Sequence, residues 1–167
     1  MTALFITRQD LIKNTPLNGN IDMDKILHFV KIAQEIHIQG ILGTKLYNRI
    51  GQDIIDGTLT GDYLNLVNDY IKPMTVQYSF LEFLPFASFS VSNKGVFKKT
   101  SENAEVPTEN DINKMIESTR DIAEHYAKRF IDYMRHYAFD LFPEYTQGIT
   151  KDEIRPQRDI TFGGWNI

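Results

Sequence analysis

The spacing of apolar residues predicts a protein built on one very long helix. Between residues 108 and 142, apolar or small side chains advance by three and four almost throughout, which gives a heptad-like stripe of about 45 Å. Thr108 and Asp111 have the pattern of a capping box, and Pro143 ends the helix. The stripe consists of Ile112, Ile116, Thr119, Ala123, Tyr126, Phe130, Tyr133, Tyr137 and Leu141.

Shorter helices precede the long one. The predicted segments are residues 7–15, 22–38, 44–56 and 60–72, opened by Thr7, Asp22, Thr44 and Thr60. Gly40 and Gly43 punctuate the join between the second and third, Gly57 ends the third, and Pro73 breaks or kinks the fourth. The predicted apolar sides are Ile26, Phe29, Val30, Ala33 and Ile36 in the second helix, and Leu46, Tyr47, Ile50, Ile54 and Ile55 in the third.

Residues 74–91 are long and apolar enough to be compared with a membrane span. Gln77, Glu82, Pro85 and three serines interrupt them, and a carboxylate near the centre of a span is costly. We interpret the segment as a buried core helix. The first ten residues have neither a basic nor a long apolar stretch, so no signal peptide is predicted.

The pattern changes at residues 89–107, which we predict to be an insertion in the helical domain. Apolar residues flank the sequence SNKG, and this arrangement favours a short β-hairpin. Lys94, Lys98 and Lys99 form a small basic knob beside Phe97. A solvated turn explains the knob, and a loop that faces nucleic acid phosphates, for instance inside a pore, is the alternative.

The last twenty residues, 148–167, are predicted to form an extended arm on a helical bundle of residues 1–147. Glycines and Pro156 break regular structure there, yet the arm carries large apolar and arginine side chains, which are favoured anchors in interfaces. We predict that it docks onto another chain, the alternative being that it folds back on its own bundle. The candidate anchors are Ile149, Ile154, Arg155, Arg158, Ile160, Phe162, Trp165 and Ile167.

Composition narrows the functional classes. The chain has 167 residues, a formal net charge of −4 and no cysteine. One domain is expected at this length, and an acidic balance argues against a protein that wraps duplex nucleic acid. Without cysteine there is no disulfide, thiolate nucleophile, cysteine zinc site or iron–sulfur cluster.

Candidate catalytic patterns are few. Asp121 precedes His125 and Asp132 precedes His136, each by four residues, on nearly the same side of the long helix. Bundle metal sites use Glu-x-x-His elements from two helices, which are absent, so ion pairs are the preferred interpretation. Phosphate-binding loops, nucleophile elbows and zinc-protease motifs are absent too. We expect no enzyme, no cofactor and no metal.

One segment resembles a known family. Residues 38–51 (IQGILGTKLYNRIG), preceded by an amphipathic helix and followed by a short helix, a long helix and an extended arm, resemble head–tail connector (adaptor) proteins of tailed bacteriophages. The likeness is greatest to the ring proteins of phages that infect Bacteroidetes, including crAss-like phages. It covers most of the chain by layout, and its sequence-specific part is the short LGTKLY region.

The resemblance implies a structural virion protein. Such proteins form helical rings, commonly of twelve copies, under the portal at the capsid vertex, where they extend the DNA channel and carry the tail. Their C-terminal arms dock onto the portal or a neighbouring subunit, so Ile160, Phe162, Trp165 and Ile167 would be docking anchors here. The insertion could face the channel or the next ring. DNA would be passing content only, no membrane is involved, and the protein would be made in the host cytoplasm.

Two other readings stay open from the residues alone. The chain could be a non-viral, monomeric adaptor that binds one partner through its arm. It could also be a helical metalloprotein that uses the Asp/His face of the long helix.

Overall fold

The computed structural model describes residues 3–17, 23–87, 89–92, 95–98, 108–148 and 150–159. Within these ranges the chain is a mainly α-helical bundle that carries one pair of short strands. The helices are α1 (Arg8–Asn14), α2 (Met23–Ala33), α3 (Gln39–Leu42), α4 (Thr44–Asp56), α5 (Gly61–Leu66), α6 (Lys72–Phe83), α7 (Glu109–Leu141) and α8 (Pro143–Thr146). The strands are β1 (Phe89–Ser92) and β2 (Gly95–Lys98).

Two capping boxes set the starts of α1 and α7, as the sequence predicts. The Asp10 backbone N–H donates to Thr7 Oγ1 at 3.2 Å, and the Thr7 N–H donates back to the Asp10 carboxylate at 2.7 Å. Thr108 and Asp111 repeat the arrangement at 3.2 and 3.0 Å. Each box satisfies backbone donors that the first helical turn leaves unpaired.

The second predicted helix extends further than expected, because α2 continues through a π-turn (Gln34–Ile38) into α3. Gly40 therefore lies inside a helix, and Gly43 alone breaks it. A π-turn holds one more residue than an α-turn and shifts the phase of the side chains that follow. The predicted core residue Ile36 is consequently 62 % exposed, whereas Ile38 is fully buried. Asp22, the predicted cap, lies outside the described residues.

The third helix has the predicted bounds, and the fourth differs. Gly57 ends α4 at φ 67°, a left-handed conformation that glycine adopts without strain. Thr60 makes no side-chain cap bond to α5. Pro73 does not end the helix, because a second π-turn (Val67–Ile71) leads directly into α6. The proline lies in the first turn of α6, where its missing N–H is tolerated.

Helix α6 is the centre of the bundle, which confirms the buried-helix interpretation for residues 74–83. For the rest of the segment that interpretation is wrong, because residues 84–86 form a 3-10 turn with Phe86 56 % exposed and strand β1 begins at Phe89. Helix α6 packs on α2 on one side and on α7 on the other. Met74, Tyr78 and Leu81 belong to the larger apolar cluster with α4 and α7, whereas Val76 and Phe80 belong to a smaller one with α1 and α2. No helix in the described ranges is long and apolar enough to span a bilayer.

The buried face of α7 is broader than the predicted stripe. Ala127, Ile131, Met134 and Ala138 are also buried, and they lie on one flank of the stripe. Tyr137, at the other flank, is 49 % exposed. Long helices that pack on several neighbours bury a wide apolar face rather than a narrow coiled-coil seam, which accounts for the shift.

The insertion contains the predicted hairpin. Strands β1 and β2 pair antiparallel, with Phe89 opposite Lys98 and Ser90 opposite Phe97. Lys94 and Lys99 of the predicted basic knob lie outside the described residues.

Candidate partner-binding arm

The described part of the arm, residues 150–159, binds at the junction of α3 and α4. Gly43 has φ 77° and ψ 154°, a combination that only glycine adopts readily. The break leaves the first amide of α4 without a helical acceptor, and the Thr44 N–H donates instead to the Ile154 carbonyl at 3.0 Å. The Ile154 N–H donates back to Thr44 Oγ1 at 2.9 Å. A residue from the arm thus completes the helix start.

Pro156 fits against the same glycine. A Cβ atom added at Gly43 would lie 2.6 Å from the Cδ and Cγ atoms of Pro156, far inside contact distance. One residue on, the Gln157 N–H donates to the Gly40 carbonyl at 2.9 Å. The absence of a side chain at residue 43 is therefore needed twice, once for the backbone turn and once for the approach of the arm.

Further contacts hold both ends of residues 150–159. At the near end, Lys45 Nζ donates to the Gly148 carbonyl and lies 3.9 Å from the Glu153 carboxylate. At the far end, Arg135 Nη2 donates to the Arg158 carbonyl at 2.7 Å and pairs with the Asp159 carboxylate. The segment is thus fixed along its length to α4 and α7 of its own chain.

Tyr145 of α8 supports the middle of the segment. Its hydroxyl donates to the Gln157 carbonyl at 3.3 Å. Burial raises the pKa of Tyr145 to about 12, although Arg158 and Arg135 act in the opposite direction. The phenol is therefore protonated, and able to donate, well above neutral pH.

These contacts divide the predicted anchors into two groups. For residues 150–159 the intramolecular alternative holds, since their backbone is bound to the bundle. Ile154 nevertheless keeps 46 % of its surface exposed, and the side chains of Arg155 and Arg158 are exposed too. Their binding to a partner stays a prediction. The other predicted anchors, Ile149, Ile160, Phe162, Trp165 and Ile167, lie outside the described residues.

A polar network behind the arm joins α4, α5 and α8. Arg49 pairs with Asp53 at 2.8 Å and with Glu144 at 3.6 Å, and its guanidinium lies 5.1 Å from the centre of the Tyr63 ring. The Tyr63 hydroxyl donates to Glu144 at 2.6 Å. Partial burial, followed by this bond to a carboxylate, raises the pKa of Tyr63 to about 12. Sequence reasoning missed the network, because Glu144 is 95 residues from Arg49 and 81 residues from Tyr63, and only the fold brings it to them.

One residue of the Asp/His face of α7, Asp132, is engaged in ion pairs. The Asp132 carboxylate contacts Lys128 at 3.0 Å and Arg135 at 3.1 Å, and these cations lower its pKa, with the Lys128 hydrogen bond as the largest cause. No group of three histidine or carboxylate side chains in the described ranges could hold a metal ion. His37 pairs with Glu82 at 2.8 Å, so this carboxylate of α6 has a polar partner on the neighbouring π-turn.

A family match covers residues 38–153, more than half of the chain, and its family is described as one of unknown function (DUF6712). The chain belongs to the DUF6712 family. The match begins at Ile38, the last residue of the first π-turn, and ends at Glu153 in the arm. Gly43, Thr44, Lys45 and Glu153 therefore all lie within the DUF6712 region. Comparisons with curated proteins and with solved structures gave no match.

Proposed function

We propose that this DUF6712 protein is a non-catalytic virion protein that forms an oligomeric ring between the portal and the tail of a bacteriophage. In this proposal the ring, commonly of twelve copies, extends the DNA channel at the portal vertex. The residues after Asp159 dock onto the portal or a neighbouring subunit, and the hairpin insertion faces the channel or the next ring.

The observation that carries the proposal is the seating of the arm on residues 38–51, the segment that resembles head–tail connectors. Five residues of the segment 150–159 contact Gly40, Thr44, Lys45 or α7, so the described arm ends at a fixed point on the bundle; they are Glu153, Ile154, Gln157, Arg158 and Asp159. A fixed starting point favours docking, because it reduces the conformational freedom lost when the end of the arm binds. It also raises the local concentration of the anchors at a neighbour in a ring.

The bundle's construction supports a structural role. The network of Arg49, Tyr63 and Glu144 joins α4, α5 and α8, and the cluster of Lys128, Asp132 and Arg135 forms ion pairs along α7. Helices α2 and α7 pack on α6, and α7 alone has 33 residues. Such a bundle is stiff, which suits a part that transmits load through an assembly.

Purification of the tagged protein from its native producing cells, with partners identified by mass spectrometry, tests the proposal. Recovery of portal, capsid and tail proteins is expected. Recovery of a metabolic or regulatory partner instead would overturn it. A stable complex with one copy of one non-viral protein would favour the monomeric adaptor.

Truncation tests the arm's part in the same preparation. A chain that ends at residue 159 keeps the seated segment, whereas a chain that ends at residue 147 loses it. We expect both to lose the virion partners while remaining folded. Full recovery of partners by the chain that ends at residue 159 would contradict the docking role given to residues 160–167.

A further inference from the structure

A groove lies beside the point where the described arm ends. The second half of α7, α8 and the arm enclose a cavity of about 230 Å³. Its floor consists of the buried side chains of Ile131, Met134, Ala138 and Tyr145. Phe139 forms one wall and is 85 % exposed, more than any other large apolar side chain in the described ranges. We call this cavity the Phe139 groove.

The described part of the arm ends beside the groove. Arg158 lines it, and Arg135 at its rim donates to the Arg158 carbonyl at 2.7 Å and pairs with Asp159. The described arm therefore ends at the groove's edge, with Arg158 in its lining and Asp159 bound to Arg135. A segment that continues from Asp159 is close enough to reach the groove.

The sequence after Asp159 suits an apolar site. Residues 160–167 (ITFGGWNI) carry no charge and include Ile160, Phe162, Trp165 and Ile167. Gly163 and Gly164 permit a reversal of the chain between the two aromatic residues. A short tether to the rim gives this segment an effective concentration on the order of millimolar at its own groove.

We propose that residues 160–167 cover the Phe139 groove of their own chain before assembly, with an aromatic side chain against Phe139. This goes beyond the proposed function, which concerns the same anchors on a partner. Cover and partner docking use the same side chains and exclude each other. A partner must then displace the segment, which keeps the anchors shielded from water and from non-specific contacts in the free protein.

Trp165 reports on the cover, because it is the only tryptophan of the chain. Acrylamide quenching of its fluorescence is measured in the full chain at micromolar concentration, and in a peptide of residues 148–167. We expect weaker quenching in the full chain than in the peptide. Equal quenching would overturn the proposal.

Phe139→Ala tests whether Phe139 is the contact. Its side chain is exposed in the bundle, so the substitution leaves the fold intact, and loss of the contact shifts the closed–open equilibrium about tenfold toward open. Quenching should rise toward that of the peptide. Phe86→Ala is the matched control, since Phe86 is 56 % exposed and lies outside the groove, and it should leave quenching unchanged. An identical response of both variants would overturn the proposal.

A cross-link identifies the chain that supplies the segment. The protein has no cysteine, so Thr146→Cys at the groove and Asn166→Cys in the segment introduce one defined pair. An intramolecular disulfide is expected, and none with Lys114→Cys, near the other end of α7, in place of Thr146→Cys. A disulfide-linked dimer would assign the groove to a second copy and overturn the proposal, as would the absence of any disulfide. These readouts use the free protein, so they fail or succeed independently of partner recovery.

Discussion

The two ends of the described chain dock on neighbouring parts of the bundle in different ways. The N-terminal segment buries Phe5 and Ile6 almost completely, at 3 % and 2 % exposure. The arm buries no large apolar side chain to that extent between residues 150 and 159, and Ile154 remains 46 % exposed. The first attachment belongs to the core, whereas the second depends on backbone hydrogen bonds and on the space at Gly43.

Gln34 shows why the N-terminal attachment is the firmer one. Its amide is fully buried, accepts from the Phe5 N–H at 2.9 Å and donates to the Ala3 carbonyl at 2.9 Å and to the Tyr47 hydroxyl at 3.2 Å. A buried polar group with satisfied bonds fixes a single arrangement, and removal of one partner leaves the others unpaired. The arm's bonds lie at the surface, where water can replace them.

The largest expected effect is at Phe5. Phe5→Ala removes a buried ring that packs on Tyr47, with ring centres 4.9 Å apart, and should lower the free energy of unfolding by about 3–5 kcal/mol. Phe86→Ala, the same change at a site that is 56 % exposed, should cost only about 0.5–1.5 kcal/mol through its contact with Phe29. Urea denaturation of both variants measures the difference. Equal losses would contradict the assignment of the N-terminal segment to the core.

Gly43→Ala is the sharpest test of the arm's seat. The added methyl group meets both a strained backbone and Pro156, so we expect a loss of about 1–3 kcal/mol together with release of residues 150–159. Gly57→Ala is the matched control, because Gly57 also has a positive φ of 67° but has no atom within 4 Å of an added Cβ. Both variants should lose stability by thermal unfolding. Release of the arm in the Gly57 variant as well would show that arm binding does not depend specifically on Gly43.

Alkaline pH should weaken the arm's support through Tyr145. Burial favours its neutral phenol, so the unfolded chain releases this proton near pH 10 and the folded chain near pH 12. The contribution of Tyr145 is therefore complete below pH 10 and is lost as the pH rises to about 12.

Tyr145→Phe isolates that contribution. The variant loses the bond to Gln157, which should cost about 0.5–1.5 kcal/mol at neutral pH. Its stability should then fall less steeply than that of the parent between pH 10 and about 12, as followed by urea denaturation at several pH values. An unchanged slope would mean that this phenol titrates alike in both states.

The smallest effect on stability is expected for the exposed ion pairs of α7. Arg135→Ala and Lys128→Ala each remove a pair with Asp132, and each should change the free energy of unfolding little, because solvent screens exposed ion pairs. Only Arg135 also holds Arg158 and Asp159. Trypsin should therefore cleave after Arg158 faster in the Arg135 variant and at the parent rate in the Lys128 variant. Equal cleavage rates in the two variants would show that Arg135 does not hold the arm.

Much of the helical layout could be predicted from local signals. Capping boxes at Thr7 and Thr108 and the glycine at residue 57 act within one turn, so the sequence shows them directly. The π-turns could not be predicted, because neither a glycine nor a proline nor a capping residue marks them in the sequence. That is why Ile36, predicted on the apolar side, is exposed, whereas Ile38 is buried.

The arm was predicted as a segment but its seat was not. Breakers at Gly148 and Pro156 mark an extended chain, yet nothing in the sequence links Ile154 to Thr44, 110 residues earlier. The one sequence signal for this contact was Gly43. A glycine between two helices leaves the first amide of the second helix in need of a hydrogen-bond acceptor. The predicted stripe of α7 was too narrow for a similar reason, since the chain's own arm and α8 cover one flank of the helix.

Hydrogen exchange at Thr44 tests the central claim, that residues 150–159 are bound to their own bundle, most directly. In the full chain the Thr44 N–H donates to Ile154 and should be protected, whereas in a chain that ends at residue 147 it should exchange freely, with the amides inside α4 unchanged. Equal exchange of the Thr44 amide in both chains would contradict the account, because the arm would then not complete the start of α4.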